Sequence, residues 1–362
     1  MKITLPPLGC ALALLACSAQ AQDASVVYGR LNVALENMHD TRDGAGRPAS
    51  VTRESNDRSV LGFRGSEDLG DGARALFQVE GTVAPDTGAG SIAARDTRVG
   101  VETRYGTVFG GNWVTPYNGA TAGLDPFYPT TAGYMSIMGN GSAPTTNNVI
   151  DTTSFDRRQQ NSVHYWSPEW RGLSLRLAQG LNEETPATGA RPSLTSAALV
   201  FDQGPLYFTA THERHHDYQG PGLNDSGSKI GAAWNFGVTR VALVAERLRY
   251  ETAAGNLART SWFFSATHQM GAHGLRFALA RAGDGKGSGV ARIGYIAQGP
   301  DTGATHATLG YDYTLSKRTS VFAYYTRLHN EGNGVYDFGI NSLGAAAGAT
   351  LSGTALGLRH NF

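Results

Sequence analysis

Along most of this chain apolar and polar residues alternate with a period of two, the pattern of strands that have one face in an apolar medium and the other in water. In Val27 to Glu36 the odd positions Val27, Leu31, Val33 and Leu35 are apolar, while the even positions Tyr28, Arg30, Asn32 and Glu36 are polar. In Ala73 to Glu80, Ala75, Phe77 and Val79 oppose Arg74, Gln78 and Glu80. The alternation returns in Leu173 to Gln179, Lys229 to Phe236, Leu275 to Leu279, Thr308 to Leu315 and Thr354 to Phe362. About sixteen such segments can be placed. Nowhere beyond the first residues does the chain offer the roughly eighteen consecutive apolar residues that a membrane helix needs.

The connections sort by length. Short turns are expected at Ser66 to Gly72, Thr103 to Gly106, Ser167 to Gly172, Asp202 to Pro205, Asn235 to Val238, Met270 to Gly274 and Leu315 to Thr319. Between them fall long connections over residues 38–57, 82–94, 113–157, 181–192, 213–227, 251–258, 283–304 and 329–349. Short and long alternate, so one end of the sheet carries turns and the other carries loops, as in outer-membrane barrels. A soluble sandwich has no reason to sort its connections this way, and it would need water along one face of nearly every strand to solvate Arg30, Arg64, Arg74 and Glu80. The fold expected is all-β: a transmembrane antiparallel β-barrel of about sixteen strands, with short periplasmic turns and long extracellular loops. At that strand number a barrel encloses an aqueous channel, whereas about eight strands fill with side chains.

Residues 1–21 read as an export signal, with Lys2 at the start, an apolar run from Leu8 to Ala16 and a small-x-small site at Ala19-Gln20-Ala21. Residues 22–362 are then the barrel. Cleavage before Cys17, at Leu14-Leu15-Ala16-Cys17, is the alternative and would leave a lipid-anchored chain. Both cysteines, Cys10 and Cys17, fall inside the signal, so disulfide and thiol chemistry are not expected. With 30 basic and 30 acidic residues the net charge is zero, which gives no footing for a nucleic-acid partner.

Two motifs imitate other chemistries. His212-Glu213-Arg214-His215-His216 spells a zinc-protease motif, but that chemistry needs the two histidines one turn apart on a helix. Here it follows a strand-like stretch, Leu206 to Thr211. Extended, it would set His212 and His216 some 13 Å apart. Gly283 to Gly289 is glycine-rich but lacks the Gly-Lys-Ser/Thr ending of a phosphate loop and reads as a loop tip. No catalytic set, metal site or cofactor is expected. The aromatics, Trp113 at the head of the longest loop excepted, are assigned to interface girdles.

Several stretches resemble the general porins of Gram-negative outer membranes, specifically the betaproteobacterial type. They are Val26 to Gly29, Leu61-Gly62-Phe63-Arg64-Gly65-Ser66-Glu67-Asp68-Leu69-Gly70, Asn161 to Tyr165 with Ser167-Pro168, Leu309 to Tyr313, Leu315 to Thr319 and Gly357 to Phe362. The resemblance implies a homotrimer of water-filled barrels passing small hydrophilic solutes and ions by passive diffusion. A channel specific for one solute class is the alternative. It also implies surroundings of outer-membrane lipid and lipopolysaccharide, and handling by the barrel-assembly machinery through the carboxy-terminal strand that ends on Phe362.

The resemblance further implies that the third extracellular loop, residues 113–157, folds inward as a constriction. From Tyr105 to Asp156 this stretch has no Lys or Arg but has Asp125, Asp151 and Asp156. Asp125 and Asp151 are assigned to the loop side of the constriction. Arg30, Arg95 and Arg158 are assigned to the wall by matching position, with Arg58, Arg64 and Arg74 added as inward-facing candidates; carboxylates opposite arginines would set a transverse field. The sequence departs from the family pattern at three places: Val60 where an arginine is usual, Arg98 on what would be the lipid side, and Asn112 where arginine is frequent. Arg58, two residues from Val60, is the expected substitute, about 7 Å away along the pleat.

Overall fold

The structure, a computed structural model, describes residues 25–362 apart from 144–146, 148 and 185. The segment read as an export signal, residues 1–21, and both cysteines lie outside the described residues. Among the described residues, sixteen antiparallel strands form one closed barrel. They are β1 (Val26–Asp40), β2 (Ala49–Asn56 continuing as Val60–Gly70), β3 (Ala73–Ala84), β4 (Thr97–Thr103), β5 (Gly106–Val114) and β6 (Arg158–Trp166). The wall continues with β7 (Leu173–Gly180), β8 (Ser193–Gln203), β9 (Leu206–His216), β10 (Asn224–Phe236) and β11 (Thr239–Thr252). It ends with β12 (Gly255–Met270), β13 (His273–Ala282), β14 (Ala304–Thr314), β15 (Thr319–Asn330) and β16 (Thr350–Asn361).

Closure is made by β1 and β16, which pair from Arg30↔Asn361 to Asp40↔Leu351. Beyond the ladder, Gly29 and Phe362 exchange both backbone hydrogen bonds at 3.0 Å. Every strand therefore has two partners, which a wall crossing lipid requires because no water is there to satisfy an open edge. Parity follows the sequence pattern. On β1, Asn32, Ala34, Glu36 and Met38 are buried toward the lumen, while Leu31 and Leu35 are exposed outside.

Strands run further into the loops than the polarity of their ends suggests. The long connection expected at 251–258 is a tight turn at 253–254, since β11 and β12 stay paired to Thr252↔Gly255. The connection expected at 213–227 shrinks to 217–223. Along these extensions the outward residues Arg214, His216 and Asn256 are exposed, while the inward residues Glu213, His215, Asp225 and Leu257 are buried.

The aromatic assignment needs correction too. Trp234, Trp262, Tyr311, Tyr313 and Tyr325 are exposed on the outer face, but Phe322 and Tyr324 are buried inside, and so is Trp113, which the girdle assignment leaves out. The interior can take them because loops enter it. Phe127, Met135 and Met138 of the longest loop cluster with Phe263, Phe322, Tyr336 and Phe338. Each such side chain contributes about 1.5–3 kcal/mol by leaving water.

Gly29 sits under the Phe362 ring: a Cβ there would meet the ring at 2.3 Å and the Val60 carbonyl at 2.8 Å. Gly29→Val should therefore weaken the closing seam by about 1–3 kcal/mol, the usual cost of overpacking. The expected result is a lower temperature for the shift from folded to unfolded mobility in a heated gel series.

Candidate pore constriction

The longest loop, residues 115–157 between β5 and β6, folds into the barrel. It opens with helix α1 (Pro116–Ala122), whose start is set by Thr115: its hydroxyl accepts from the Asn118 amide, and Pro116 occupies the first turn. The loop lies against the far wall. Tyr207 of β9 donates to the Ala120 carbonyl at 2.5 Å, Arg240 of β11 to Gly123 at 3.2 Å, Ser265 of β12 to Leu124 at 2.7 Å and Arg276 of β13 to Pro126 at 2.7 Å.

One carboxylate fastens it. Glu246 of β11, 2% exposed, accepts from Tyr117 Oη at 2.8 Å and from the Gly139 amide at 2.9 and 3.1 Å, so it grips the loop at two points. Its charge is balanced by Arg259 at 2.7 Å and Lys229 at 3.6 Å, both buried, and Lys229 also lies over the Tyr117 ring. Two cations and one carboxylate buried together hold only while all three are present.

Pinned there, the loop leaves a passage along β1 to β6. A cavity of about 750 Å³ lies between wall and loop, with Arg58, Arg95 and Arg158 on the wall side and Asn118, Ser142 and Asp156 on the loop side. Arg158 opens β6 and pairs with Asp96 at 2.7 Å. Arg95 lies two residues ahead of β4 and pairs with Glu80 at 2.9 Å; Glu80 also accepts from Tyr28 at 3.0 Å. Arg30 faces inward and donates to the Arg58 carbonyl at 3.0 Å.

Arg58 reaches the cavity by a bulge. Residues 57–59 interrupt β2 opposite Asn32, whose carbonyl accepts from the Asp57 amide and whose amide donates to the Ser59 hydroxyl, both at 2.9 Å. Arg58 takes a left-handed conformation, φ 56°. Its guanidinium donates to Tyr128 Oη at 3.0 Å and to the Ser142 hydroxyl, both on the loop. A bulge re-aims a side chain, so the 7 Å offset expected from a regular pleat does not apply.

The remaining candidates are elsewhere. Arg64 lies over the Tyr28 ring, and its partner Gln78 is four residues along β3 from Thr82 at the cavity, roughly 13 Å toward the turns. Arg74 sits opposite Asp68 beside the β2–β3 turn and donates to Ser66. Asp125 turns into its own loop, accepting from the amides of Phe127 at 2.9 Å and Tyr134 at 2.7 Å. Burial pushes its carboxyl up to about 7, against the pull of those amides. Asp151 is half-buried on the segment beside Arg157, which donates to its carbonyl at 2.6 Å. The loop carboxylate that lines the cavity is Asp156, which accepts from Asn118 at 2.6 Å. Burial raises its carboxyl as well, with Arg58 as the main opposing influence.

Sequence reasoning left Asp96, Glu246 and Tyr128 unassigned, and Glu80 without its ionic role. Glu80 and Glu246 share the inward parity of their strands; Asp96 and Tyr128 carry no periodic signal. Arg98 is not on the lipid side. Its register with Gln78 and Gly111 turns it inward, over the rings of Phe109, Trp113 and Trp166 at 4.7, 4.3 and 5.0 Å.

Glu246→Gln would leave Arg259 and Lys229 buried beside a neutral group, at a cost of about 3–5 kcal/mol by analogy with broken buried pairs. The expected phenotype in single-channel recording is a flickering current that closes at lower voltage, as the freed loop moves into the passage.

Comparison with known proteins agrees with this architecture. Outer membrane porin protein 32 of Delftia acidovorans is 27% identical over 97% of this chain and 98% of its own length. An outer membrane porin protein of Bordetella pertussis is 24% identical over 86% of this chain and 91% of its own length. Among solved structures, an anion-selective porin from Comamonas acidovorans superposes with a TM-score of 0.78 at 22% identity, covering 94% of this chain and all of that one. The trimer form of OmpT from Vibrio cholerae gives 0.66 at 14% identity, covering 94% and 99%. Residues 9–333 match the profile of the Gram-negative porins, and the chain belongs to that family: it is an outer-membrane porin that forms a diffusion channel.

Proposed function

We propose that this channel prefers small hydrophilic anions, with Arg30, Arg58, Arg95 and Arg158 as the wall of its eyelet and Asp156 as the facing loop carboxylate. The observation that carries the reading is the charge balance around the cavity. Glu80 and Asp96 neutralise Arg95 and Arg158, Asp156 offsets one further charge, and Arg30 and Arg58 have no carboxylate in ion-pair contact among the described residues. The excess is positive in a narrow space with low-dielectric walls, where fields are focused. The anion selectivity of the solved porin from Comamonas acidovorans points the same way. Arg64 and Arg74 sit nearer the turn end and are proposed as secondary steering charges. Asp125 is proposed as a fold-keeping residue of the loop, and Asp151 as a residue of its outer margin.

The functional unit is proposed to be a homotrimer in a lipopolysaccharide-containing leaflet, assembled through recognition of β16 and Phe362. The trimer form of OmpT offers a precedent. No chemical step is assigned to the channel. His212 and His216 lie exposed on the outer face of the extended strand β9, while His215 and Glu213 are buried on the other, so the helical zinc geometry is not formed.

In planar bilayers under a potassium chloride gradient, the reversal potential should report chloride over potassium. Arg95→Gln with Arg158→Gln would leave Glu80 and Asp96 without their cations and should turn the preference toward potassium; an unchanged reversal potential would remove these residues from the eyelet. An unheated sample in SDS should run as a trimer that heating dissociates. A monomer before heating would count against the assembly.

A further inference from the structure

The outer face changes character along one hydrogen-bonded row. Ala210, Ile230, Ala245 and Trp262 are neighbours across β9 to β12 and close the apolar band on the side of the long loops. The next outward row is His212, Ser228, Arg247 and Thr260. The one above it is Arg214, Ser226, Arg249, Ala258 and Lys286, the last on a short strand, Lys286–Ser288, laid beside β12. On β15, Arg327 also faces outward. Cations thus stand directly above the band, separated by small side chains.

The opposite arc lacks them. Where β16, β1 and β2 leave their apolar band, the outward residues are Thr354, Ser352, Asn37, His39, Thr52, Ser50 and Glu54. In a chain of zero net charge, one-sided placement of this kind is a surface property of β9 to β15 and not a by-product of composition.

Within the basic arc the surface is indented. A crevice of about 430 Å³ lies between Arg247 and Lys286, with Ala258, Thr260 and Gly283 among its lining residues. Both cations are exposed, and among the described residues neither makes a hydrogen bond or an ion pair. Asp284, also at the crevice, has one carboxylate oxygen, Oδ1, held by the amides of Thr302 and Gly303 at 2.9 and 3.1 Å. A guanidinium and an ammonium facing one another across a floor of small residues form a receptor for a compact, multiply charged oxyanion. At this height, one to two rows above the hydrocarbon-facing residues, the groups of that kind belong to lipid headgroups.

We propose that the crevice between Arg247 and Lys286 binds a phosphate of the lipopolysaccharide lipid A in the outer leaflet, and that β9 to β15 form the lipid-facing arc of the barrel. The inference rests on the outer-membrane placement of the chain and not on the ion preference of the eyelet. The ligand is a phosphate monoester fixed to a glycolipid. Its acyl chains run down the band past Trp262, Leu243 and Ile230, which is what separates it from free phosphate.

The test uses the purified full-length protein in detergent and native mass spectrometry of bound lipid. The probes are lipid A carrying both phosphates, lipid A stripped of phosphate, and inorganic phosphate. Lipid A should stay bound to the wild type. Arg247→Gln with Lys286→Gln should weaken retention at least tenfold, while the same charge loss at the opposite end, Lys317→Gln with Arg318→Gln, should leave it unchanged. Dephosphorylated lipid A should not distinguish wild type from variant. Equal retention by the crevice variant would overturn the proposal. So would displacement of lipid A by inorganic phosphate at similar concentration, which would make this a site for a soluble anion. Because both residues face away from the lumen, single-channel conductance and reversal potential should stay at wild-type values, which keeps this outcome separate from any failure of the eyelet reading. Should the double variant not assemble, Lys286→Gln alone, outside the barrel wall, carries the same comparison.

Discussion

A backbone crossing hydrocarbon must pair every amide and carbonyl within itself, and the closed ladder from β1 round to β16 is how this chain meets that demand. Closure needs the last strand to lie beside the first, which gives the carboxy-terminal Phe362 its place over Gly29. It also leaves the chain no freedom in parity. Once one residue of a strand faces lipid, every second residue does, and the others must line the interior. Sixteen strands then enclose more space than their own side chains can fill, so the interior stays wet unless something else enters it.

What enters is the loop between β5 and β6, and its placement narrows a wide tube. Glu246 holds that loop against β10 to β13 at the cost of burying three charges together. An apolar contact could supply comparable stability. A carboxylate gripping both Tyr117 and the Gly139 amide fixes position, which is the property an eyelet needs. The passage consequently runs beside the wall of β1 to β6. There the same device recurs at smaller scale, with Arg95 and Arg158 held in place by Glu80 and Asp96 while Arg58 is carried in by a bulge.

Much of this was legible in the sequence, for a physical reason. Lipid imposes the alternation on Val27 to Glu36 and on Leu275 to Leu279, and the asymmetry between leaflets sorts the turns from the loops. Departures from the pattern were not legible. The bulge at 57–59 has no periodic signal, so the position of Arg58 could not be computed from a pleat. Asp125 has the charge expected of a constriction residue, but its oxygens are taken by local amides, a competition that only the folded loop decides. Phe322 and Tyr324 look like girdle residues because their strand is aromatic on both faces, yet they lie inside because the loop makes part of the lumen dry. Even the zinc-like spelling at His212 to His216 is accounted for by strand parity: two histidines outside, one inside.

The central claim is that a water-filled lumen and a lipid-facing surface alternate residue by residue along the same strands. The most direct measurement is single-cysteine labelling along β3 in lipid vesicles with a charged, membrane-impermeant thiol reagent, in a protein whose two native cysteines, Cys10 and Cys17, lie within the residues read as the export signal. Arg74→Cys, Leu76→Cys and Gln78→Cys should react, while Phe77→Cys and Val79→Cys should not. Labelling that fails to alternate, or that marks 77 and 79 instead, would contradict the account.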